Sequence, residues 1–312
     1  MPRFDVTVAG ELNLDLILYG LPEELPPERE LLAEEMRLTL GASSAIVAHN
    51  LSALGARVGF QTKIGDDPLG AIALERMRDG GVDISSVRRA AKASGLSVIL
   101  QRADCRTILT YPGTIFELTF DDLDLSYLGD SRHFHLCSFY LQRGLKPGVA
   151  ELFRRLKTAG LTISLDPNDD PDDAWDGIDE VLPYVDVFLP NAREAQKITG
   201  TDDVDDAIAR LAKRVPVVAV KLGARGAVAQ RGNERFVSPA VEVEVIDAVG
   251  AGDSFDAGFI SQYIRGADIE SCLAYGNLAG ALSTTRPGGT EAFRDRAYRD
   301  EFFRMHAKGQ AI

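Results

Sequence analysis

Apolar runs alternate with amphipathic stretches along most of the chain. The runs are short and rich in β-branched residues, which predicts buried strands; they cover 6–10, 58–64, 133–137, 161–165, 185–189 and 217–222. Helical periodicity predicts helices between them, at 44–54, 69–78, 149–159 and 204–213. Apolar strands that alternate with helices are typical of a mostly parallel sheet covered by helices on both faces. We therefore expect one α/β unit over residues 1–312.

Two insertions interrupt this alternation. Residues 14–40 hold one strand-like piece and a loop rich in Pro and Glu. Residues 94–111 hold two strand-like runs, 96–102 and 106–111, with a turn predicted at Ala103 and Asp104. We predict that the two insertions pair in space as a small β-sheet lid.

The chain carries 47 Asp and Glu against 34 Lys and Arg among its 312 residues, a formal net charge of −13. Such acidity disfavours binding to nucleic acid or to an anionic membrane surface. No apolar run approaches the roughly 20 residues of a membrane span, and Asp5 stands where a signal peptide needs apolar residues. The three cysteines lack metal-type spacing, which indicates reduced thiols. These features favour a soluble, cytoplasmic protein.

A turn of small residues at 250–252 is the most informative chemical feature. It follows a β-branched, acidic run at 241–246, which we take for a strand, and it precedes an apolar helical pattern. Gly250, Ala251 and Gly252 leave their backbone N–H groups open to a ligand at a helix start, where unpaired donors and the helix dipole favour anions. Asp253 stands within this turn. A carboxylate there is poorly suited to bind phosphate but well suited to take a proton from a group that attacks one.

Two common nucleotide motifs are absent from the sequence, the G-x-x-x-x-G-K-[ST] loop and the third glycine of a dinucleotide fingerprint. Instead, residues 247–255 resemble the D-T-x-G-A-G-D-x-F signature of the ribokinase-like (PfkB) family of carbohydrate kinases, with Ala248 in place of Thr. Other elements resemble the family in the same order, at 10–15, 41–45, 50–55, 65–70, 191–194, 221–226, and 277 with 285–288.

The resemblance implies a ribokinase-like three-layer α/β sandwich with a mostly parallel central sheet and a small β-sheet lid. It also implies an ATP-dependent kinase that phosphorylates a hydroxymethyl group of a small sugar or sugar-like substrate. Asp253 would be the catalytic base, and the amides of Gly250, Ala251 and Gly252 would form the anion hole. Without the resemblance, the alternative interpretation is that Asp253 is a helix cap and that the turn is an ordinary strand-to-helix connection.

The family's nucleotide side maps onto three segments. Asn191 and Glu194 would position Mg2+ through water and contact the phosphates, although the same spacing is a capping box. Asn277 would border the adenine pocket, with a buried structural asparagine as the alternative. The turn at the end of a strand would approach ATP through Lys221, Gly223, Arg225 and Gly226.

The acceptor side involves both insertions. Asn13 and Asp15 are two residues apart and share one face of an extended segment, where a carboxylate can accept from two sugar hydroxyls. The opposite wall would be formed by Gly41, Ala42 and Ser43; Arg106, Tyr111 and Phe139 are further candidates for acceptor contact. Ala42 and Ile46 depart from the family's Gly and Asn.

A monovalent cation, K+ in particular, is common near the anion turn in this family. Its predicted ligands are Asp247 and the backbone carbonyls of Val249, Ser283, Arg286 and Gly288. Lids of this kind also pair in homodimers. Two alternatives to a sugar kinase stay open, a nucleoside kinase on the same fold and a non-catalytic sensor of sugars or nucleotides.

Overall fold

The computed structural model describes residues 1–24, 26–102 and 105–306. The strands are β1 Val6–Ala9, β2 Asn13–Tyr19, β3 Glu35–Leu40, β4 Val58–Gln61, β5 Lys63–Gly65, β6 Arg88–Ala90, β7 Gly95–Gln101, β8 Arg106–Tyr111, β9 His133–Leu136, β10 Thr162–Leu165, β11 Val187–Phe188, β12 Val217–Lys221, β13 Ala227–Arg231 and β14 Glu234–Ser238. The α-helices are α1 Ser43–Ala53, α2 Pro68–Asp79, α3 Leu125–Gly129, α4 Val149–Thr158, α5 Ala192–Thr199, α6 Val204–Leu211, α7 Ala251–Tyr263, α8 Ile269–Thr284, α9 Glu291–Arg294 and α10 Arg296–His306.

An eight-stranded sheet forms the centre of the molecule, in the order β14-β13-β12-β11-β10-β9-β1-β4. Its pairs from β12 to β4 are parallel, and the edge strands β13 and β14 are antiparallel. The parallel strands are buried on both faces, as their continuous apolar sequences predict. The predicted three-layer α/β architecture is confirmed.

The two faces of this sheet bury separate hydrophobic clusters. Phe134 and Leu136 project to the face that α4 covers with Phe153. On the other face, Val8 packs with Phe259 of α7. Alternate residues of the strands therefore supply two cores, and the sheet is the middle layer.

A second sheet has the order β3-β2-β7-β8 and is built from both insertions. The parallel pairing of β2 with β7 sets Asp15 opposite Ser97. On the same face, Ile17 and Ile99 pack against Val249 beside the small-residue turn. The predicted small sheet is thus present, while the turn predicted at Ala103 and Asp104 lies outside the described residues.

Several predicted strands differ from those observed. The run at 58–64 is two strands, because Lys63–Gly65 leaves the central sheet and pairs with β6. The run at 185–189 contributes only Val187–Phe188. The acidic run at 241–246 is wrong as a strand: it joins no sheet, and Val245 is 61% exposed. The β-branched pattern is typical of a strand, but this segment has no strand edge beside it with which to form hydrogen bonds.

The three cysteines lie in different settings. Cys105 is exposed beside β8, whereas Cys137 and Cys272 are buried. Burial raises the pKa of both buried thiols, that of Cys272 to about 12. Within the described residues, we find no helix that is both long and apolar enough to cross a membrane.

Candidate active site

The small-residue turn stands at the carboxyl edge of the central sheet, where α7 begins. Gly250 precedes the helix with φ 72°, a left-handed conformation that suits glycine. A Cβ at Gly250 would also lie 2.6 Å from the Cα of Gly289, so the two backbones are in close contact. Asp253 follows in the first turn of α7 and is buried.

Burial controls the ionisation of Asp253. Loss of water raises its pKa to about 6, and the Asp166 carboxylate acts in the same direction. Lys221 and the hydroxyl of Ser43 oppose the shift. Asp253 is therefore mostly ionised at pH 7, with a pKa near the range in which a base both accepts and releases a proton.

Lys221 lies in a buried cluster with two carboxylates. Its Nζ is 2.7 Å from Asp166 and 3.2 Å from both carboxylate oxygens of Asp256. Burial alone would raise the pKa of Asp166, but Lys221, together with hydrogen bonds from Asp256 and the Asn168 backbone, more than offsets this effect and the net pKa is lowered. The pKa of Asp256 is raised by burial. The Lys221 ammonium is thus held by two carboxylates, and its contact with phosphates stays a prediction.

Asn191 and Glu194 form a capping box, which is the alternative interpretation of their spacing in the sequence. The Asn191 side chain accepts from the Glu194 backbone N–H at the start of α5, and the Glu194 carboxylate accepts from the Asn191 backbone. Burial, followed by repulsion from Asp166, raises the pKa of Glu194 to about 8. A backbone bridge between Asn191 and Lys221 brings this box to the charged cluster.

A cavity of about 470 Å3 adjoins the same turn. It is lined by small residues, which include Gly223, Gly226 and Gly252, and by the stretch 240–243. Asn277 lines it too, and its amide donates to the carbonyls of Ser238 and Pro239 at 3.0 Å each. Asn277 therefore both borders the cavity and holds the end of β14 in place through hydrogen bonds. Arg225 is exposed beside this cavity.

Across the turn from this cavity, β2 presents a polar wall. Asp15 is 6% exposed, and Asn13 donates to it at 3.3 Å. Ser97 shares a hydrogen bond with Thr110 on β8 at 3.1 Å. Burial raises the pKa of Asp15 to about 7, and the charge on Asp253 adds to the shift. Asp15 and Asp253 are thus close enough to influence each other's ionisation.

The segment 41–43 completes this wall. A Cβ at Gly41 would lie 2.2 Å from Asp15 Oδ1, so only glycine admits the carboxylate there. Ala42 adopts φ 66° with ψ 127°, a sparsely populated conformation that costs an L-residue about 1–3 kcal/mol. It stands at the position where the family has its second glycine. Ser43 accepts from the Asn168 amide at 3.1 Å. Ile46 lies apart from this wall and packs beneath Gly250.

Two predicted acceptor contacts are wrong. Tyr111 is opposite Leu96, on the face of the second sheet that points away from Asp15, and it is 53% exposed. Phe139 is buried in the core cluster and packs against Tyr140. Arg106, opposite Gln101, shares the face of Ser97 but lies exposed at the far end of β8.

Two of the residues predicted to bind the cation, Val249 and Gly288, contact Asp247 through their backbone amides, and the cation site itself stays a prediction. The Asp247 carboxylate accepts from the Val249 and Gly288 amides at 2.9 and 3.0 Å and from the Tyr19 hydroxyl at 3.1 Å. Ser283 is fully buried, and its hydroxyl has no hydrogen-bond partner among the described residues. Arg286 lies just after the end of α8, and its side chain pairs with Asp295.

Comparison with known proteins identifies this arrangement. A model of the pfkB family carbohydrate kinases matches residues 3–296. The chain belongs to this family. PfkB relatives include an ATP-dependent ribose-1-phosphate kinase of Halopiger xanaduensis, 31% identical over 92% of this chain and 94% of that protein. A 2-dehydro-3-deoxygluconokinase of Bacillus subtilis is 30% identical over 82% of this chain and 84% of its own length.

A solved PfkB-type structure agrees over the whole fold. An Escherichia coli protein provisionally named ribokinase II, in complex with ATP and Mg2+, superposes with a TM-score of 0.83 and 26% identity. The overlap covers 97% of this chain and 99% of that one. The chain is therefore an ATP-dependent carbohydrate kinase with the ribokinase-like fold.

Three acidic residues of this PfkB site were not among the predicted site residues. Asp256 stands one helical turn after Asp253, and this spacing could have revealed it. Asp166 ends β10, where polar residues after a buried strand reach the carboxyl edge of the sheet. Glu11 is buried and accepts from the hydroxyls of Ser44 and Ser138 at 2.8 Å each. Burial raises its pKa, so Glu11 adds another proton-binding group behind the acceptor wall.

Proposed function

We propose that the enzyme transfers the γ-phosphoryl group of ATP to a hydroxymethyl group of a small sugar or sugar-like substrate. The observation that carries this proposal is the position of Asp253. It stands at the start of α7, buried, with the cavity beside Gly252 on one side and the Asp15 wall on the other. A base between a nucleotide site and a hydroxyl site is what in-line phosphoryl transfer requires.

Asp253 acts as the base in this proposal. Its carboxylate accepts the proton of the acceptor hydroxyl while the hydroxyl oxygen forms a bond to the γ-phosphorus, and the bond to ADP breaks. The amides of Gly250, Ala251 and Gly252 donate to the transferring group, where the helix start supplies positive potential. Lys221 serves this step indirectly, because its charge holds down the pKa of Asp253.

The cavity fits ATP by its chemistry. Gly223 and Gly226 leave backbone open to a nucleotide, and the Phe255 and Val243 side chains offer apolar surface to a base. Mg2+ would be held through water by Glu194, because both of its oxygens already accept hydrogen bonds from Asn191. When bound, the ion neutralises charge on the phosphates. Among the described residues, no group of three His, Cys, Asp or Glu forms a direct metal site.

The acceptor would bind to Asp15, Asn13 and Ser97. A carboxylate and an amide that face one space can bind adjacent hydroxyls, and this supports a polyhydroxylated substrate. Closure of the second sheet over the acceptor would exclude water, which otherwise competes for the phosphoryl group.

A monovalent cation beside Asp247 is the second part of this proposal. Two observations support it: the buried hydroxyl of Ser283 finds no partner in the described part of the chain, and Val249 and Gly288 converge on one carboxylate. We expect kcat to rise severalfold when K+ replaces tetramethylammonium at constant ionic strength. A coupled assay with Na+ as the control measures this, and equal rates in all three salts would contradict it.

A homodimer through the second sheet is the third part. The face opposite Asp15 exposes apolar side chains on the two edge strands, β3 and β8, with Met36 58%, Leu109 56% and Tyr111 53% exposed. Exposed apolar patches of this kind are typical of protein interfaces.

The replacement of Asp253 by Asn tests the catalytic proposal. We expect kcat to fall at least roughly a hundredfold, the usual scale for a lost base, in a coupled ADP-release assay over a panel of sugars and nucleosides. The variant should fold normally. The pKa of Asp253 rises from 3.8 to about 6 on folding, so the free energy of unfolding falls as the pH rises from 3.8 to about 6, and the full cost of the ionised carboxylate is present above that pH.

Asp253→Asn removes that cost, and the free energy of unfolding at pH 8 should increase by about 2–3 kcal/mol. Thermal unfolding therefore serves as the control for the loss of turnover. Undiminished turnover with a sugar in this variant would exclude Asp253 as the base. Retained sugar binding without any ATP consumption by the unmodified enzyme would favour a sensor instead.

A further inference from the structure

A second cavity, of about 810 Å3, lies away from the proposed catalytic site. It is enclosed by the carboxyl ends of α1 and α2 and by α8, α9 and α10. Its lining residues and those of the nucleotide cavity do not overlap in the described part of the chain. The proposed kinase reaction assigns it no role.

One wall of this cavity carries three arginines. Arg294, Arg296 and Arg299 line it together with two acids, Asp79 and Asp300. Arg299 pairs with Asp300 at 2.8 Å, Arg296 is 3.6 Å from the same carboxylate, and Arg294 pairs with Glu291 at 3.0 Å. The three guanidinium groups exceed the two lining carboxylates by one, and Glu291 balances that charge through its pair with Arg294, so an anion binds here by displacing an ion pair.

The opposite wall offers a hydrogen-bond acceptor. The Asn50 amide donates to Ser254 Oγ and to the Gly289 carbonyl, so the Asn50 oxygen must be the acceptor for His49 Nδ1 at 2.9 Å. His49 is 1% exposed and lines the cavity. Burial lowers its pKa to about 4. The ring is therefore neutral, with its proton on Nδ1 and a lone pair on Nε2.

That lone pair has no donor among residues 1–24, 26–102 and 105–306. A Cβ at Gly80 would lie 2.9 Å from Nε2 and 2.4 Å from the neighbouring ring carbon, so glycine keeps this edge of His49 open. A hydroxyl group is the simplest partner that both reaches a buried acceptor and donates to it. Tyr275 and Phe303 add stacked rings, 5.0 Å apart, between the two walls.

The cavity connects to both halves of the proposed catalytic site. From His49, hydrogen bonds continue through Asn50 and Ser254 to the Gly250 carbonyl at the anion turn. From Arg294, they continue through Glu291 to Thr39, which stands opposite Asp15 in the second sheet. A ligand that draws Arg294 from Glu291 changes the contacts of the strand that faces the acceptor.

We propose that this cavity is a regulatory site for a hydroxylated phosphate ester of the sugar-phosphate class. Its phosphate binds Arg294, Arg296 and Arg299, and one of its hydroxyls donates to His49 Nε2. The effect on turnover rests on the proposed kinase activity, but the binding does not.

Hydrogen–deuterium exchange of the full chain tests the binding, with ribose 5-phosphate as the probe and with ribose and inorganic phosphate for comparison. We expect ribose 5-phosphate to protect the segment 291–303 and ribose to leave it unchanged. In Arg294→Gln/Arg296→Gln, the half-maximal concentration should rise at least about tenfold, since charge-assisted hydrogen bonds to the phosphate are lost. Arg304→Gln, also on α10 but not in the cavity lining, is the matched control and should behave as the unmodified protein.

No protection of the unmodified protein, or equal protection of the double variant, would overturn the site. Protection by inorganic phosphate as strong as that by ribose 5-phosphate would overturn the role of His49. Because the measurement needs no turnover, it succeeds or fails independently of the role of Asp253. In steady-state assays, ribose 5-phosphate should change the acceptor KM in the Arg304→Gln enzyme and leave that of the double variant unchanged.

Discussion

The two walls of the proposed active site are built by different physical means. On the phosphoryl side, Lys221 pairs with the buried carboxyl groups of Asp166 and Asp256, and Asp253 is buried beside them at the carboxyl edge of the central sheet. On the acceptor side, Asp15 stands in a small sheet whose opposite face is buried at Leu14 and Leu40 and exposed at Met36 and Leu109. That sheet meets the body through side-chain contacts such as the Tyr19–Asp247 hydrogen bond.

This difference indicates which side of the proposed active site tolerates substitutions. A buried charge that loses its partner is costly, so the phosphoryl side is fixed as a unit. The acceptor side depends on short strands and a few polar side chains, which substitution alters without disturbing the core. This division suits an enzyme whose chemistry stays constant while the identity of the acceptor is set by the small sheet.

Loss of Lys221 should produce the largest effect. Lys221→Met leaves Asp166 and Asp256 buried without a counter-charge, and we expect a loss of about 3–5 kcal/mol in the free energy of unfolding. Urea denaturation measures it. Lys197→Met is the matched control, because Lys197 pairs with Asp173 at the surface and should cost less than about 1 kcal/mol.

The addition of Asp256→Asn to Lys221→Met should restore part of the lost stability. It removes one of the two uncompensated carboxylates. If Lys221→Met lowers the free energy of unfolding as little as Lys197→Met does, the ion pairs of Lys221 do not stabilise the phosphoryl side. The contrast between the two sides of the proposed active site would then be wrong.

The titration of Asp15 should give the next largest effect. Burial and the charge of Asp253 raise its pKa to about 7, so its ionised, hydroxyl-accepting form increases as the pH rises from 6 to 8. Over that range, the acceptor KM should fall about tenfold, in step with the ionised fraction. Steady-state kinetics of the Asp15→Asn variant, which has no titrating group there, should give a flat KM profile. Ser97→Ala keeps the titrating carboxylate and should keep the pH dependence, displaced to higher pH because the Ser97 hydrogen bond lowers the pKa of Asp15.

The exposed face of the small sheet should give the smallest effect on catalysis. Leu109→Lys places a charge on the proposed dimer interface, and we expect light scattering to report half the molar mass of the unmodified protein with little change in kcat. Leu32→Lys is the control, since Leu32 is 80% exposed outside the sheet. An unmodified protein that is already monomeric would remove this part of the proposal.

The sequence predicts the phosphoryl wall better than the acceptor wall. The small residues at 250–252, directly before an apolar helix, show that the backbone must be open to a ligand there. The anion turn can therefore be predicted from the local sequence, without knowledge of the fold. The Lys221 cluster joins β10, β12 and α7, and only the order of strands in the sheet reveals that Asp166 and Asp256 reach the same ammonium.

Errors on the acceptor side arise from strand register. Side chains alternate between the two faces of a sheet, so the pairing of Leu96 with Tyr111 decides that Tyr111 points outward and Thr110 inward. Nothing in the sequence fixes that register. The acidic run at 241–246 fails for a related reason, because strand propensity does not provide a partner edge.

The contrast between the cysteines offers an experimental handle. Cys105 is exposed at the start of β8, while Cys137 and Cys272 are buried thiols with raised pKa values, which slows their alkylation. A maleimide dye should therefore attach to the unmodified chain at a single place, on the small sheet. The fluorescence of that dye would report the opening and closing of the acceptor wall during each turnover, without an engineered cysteine.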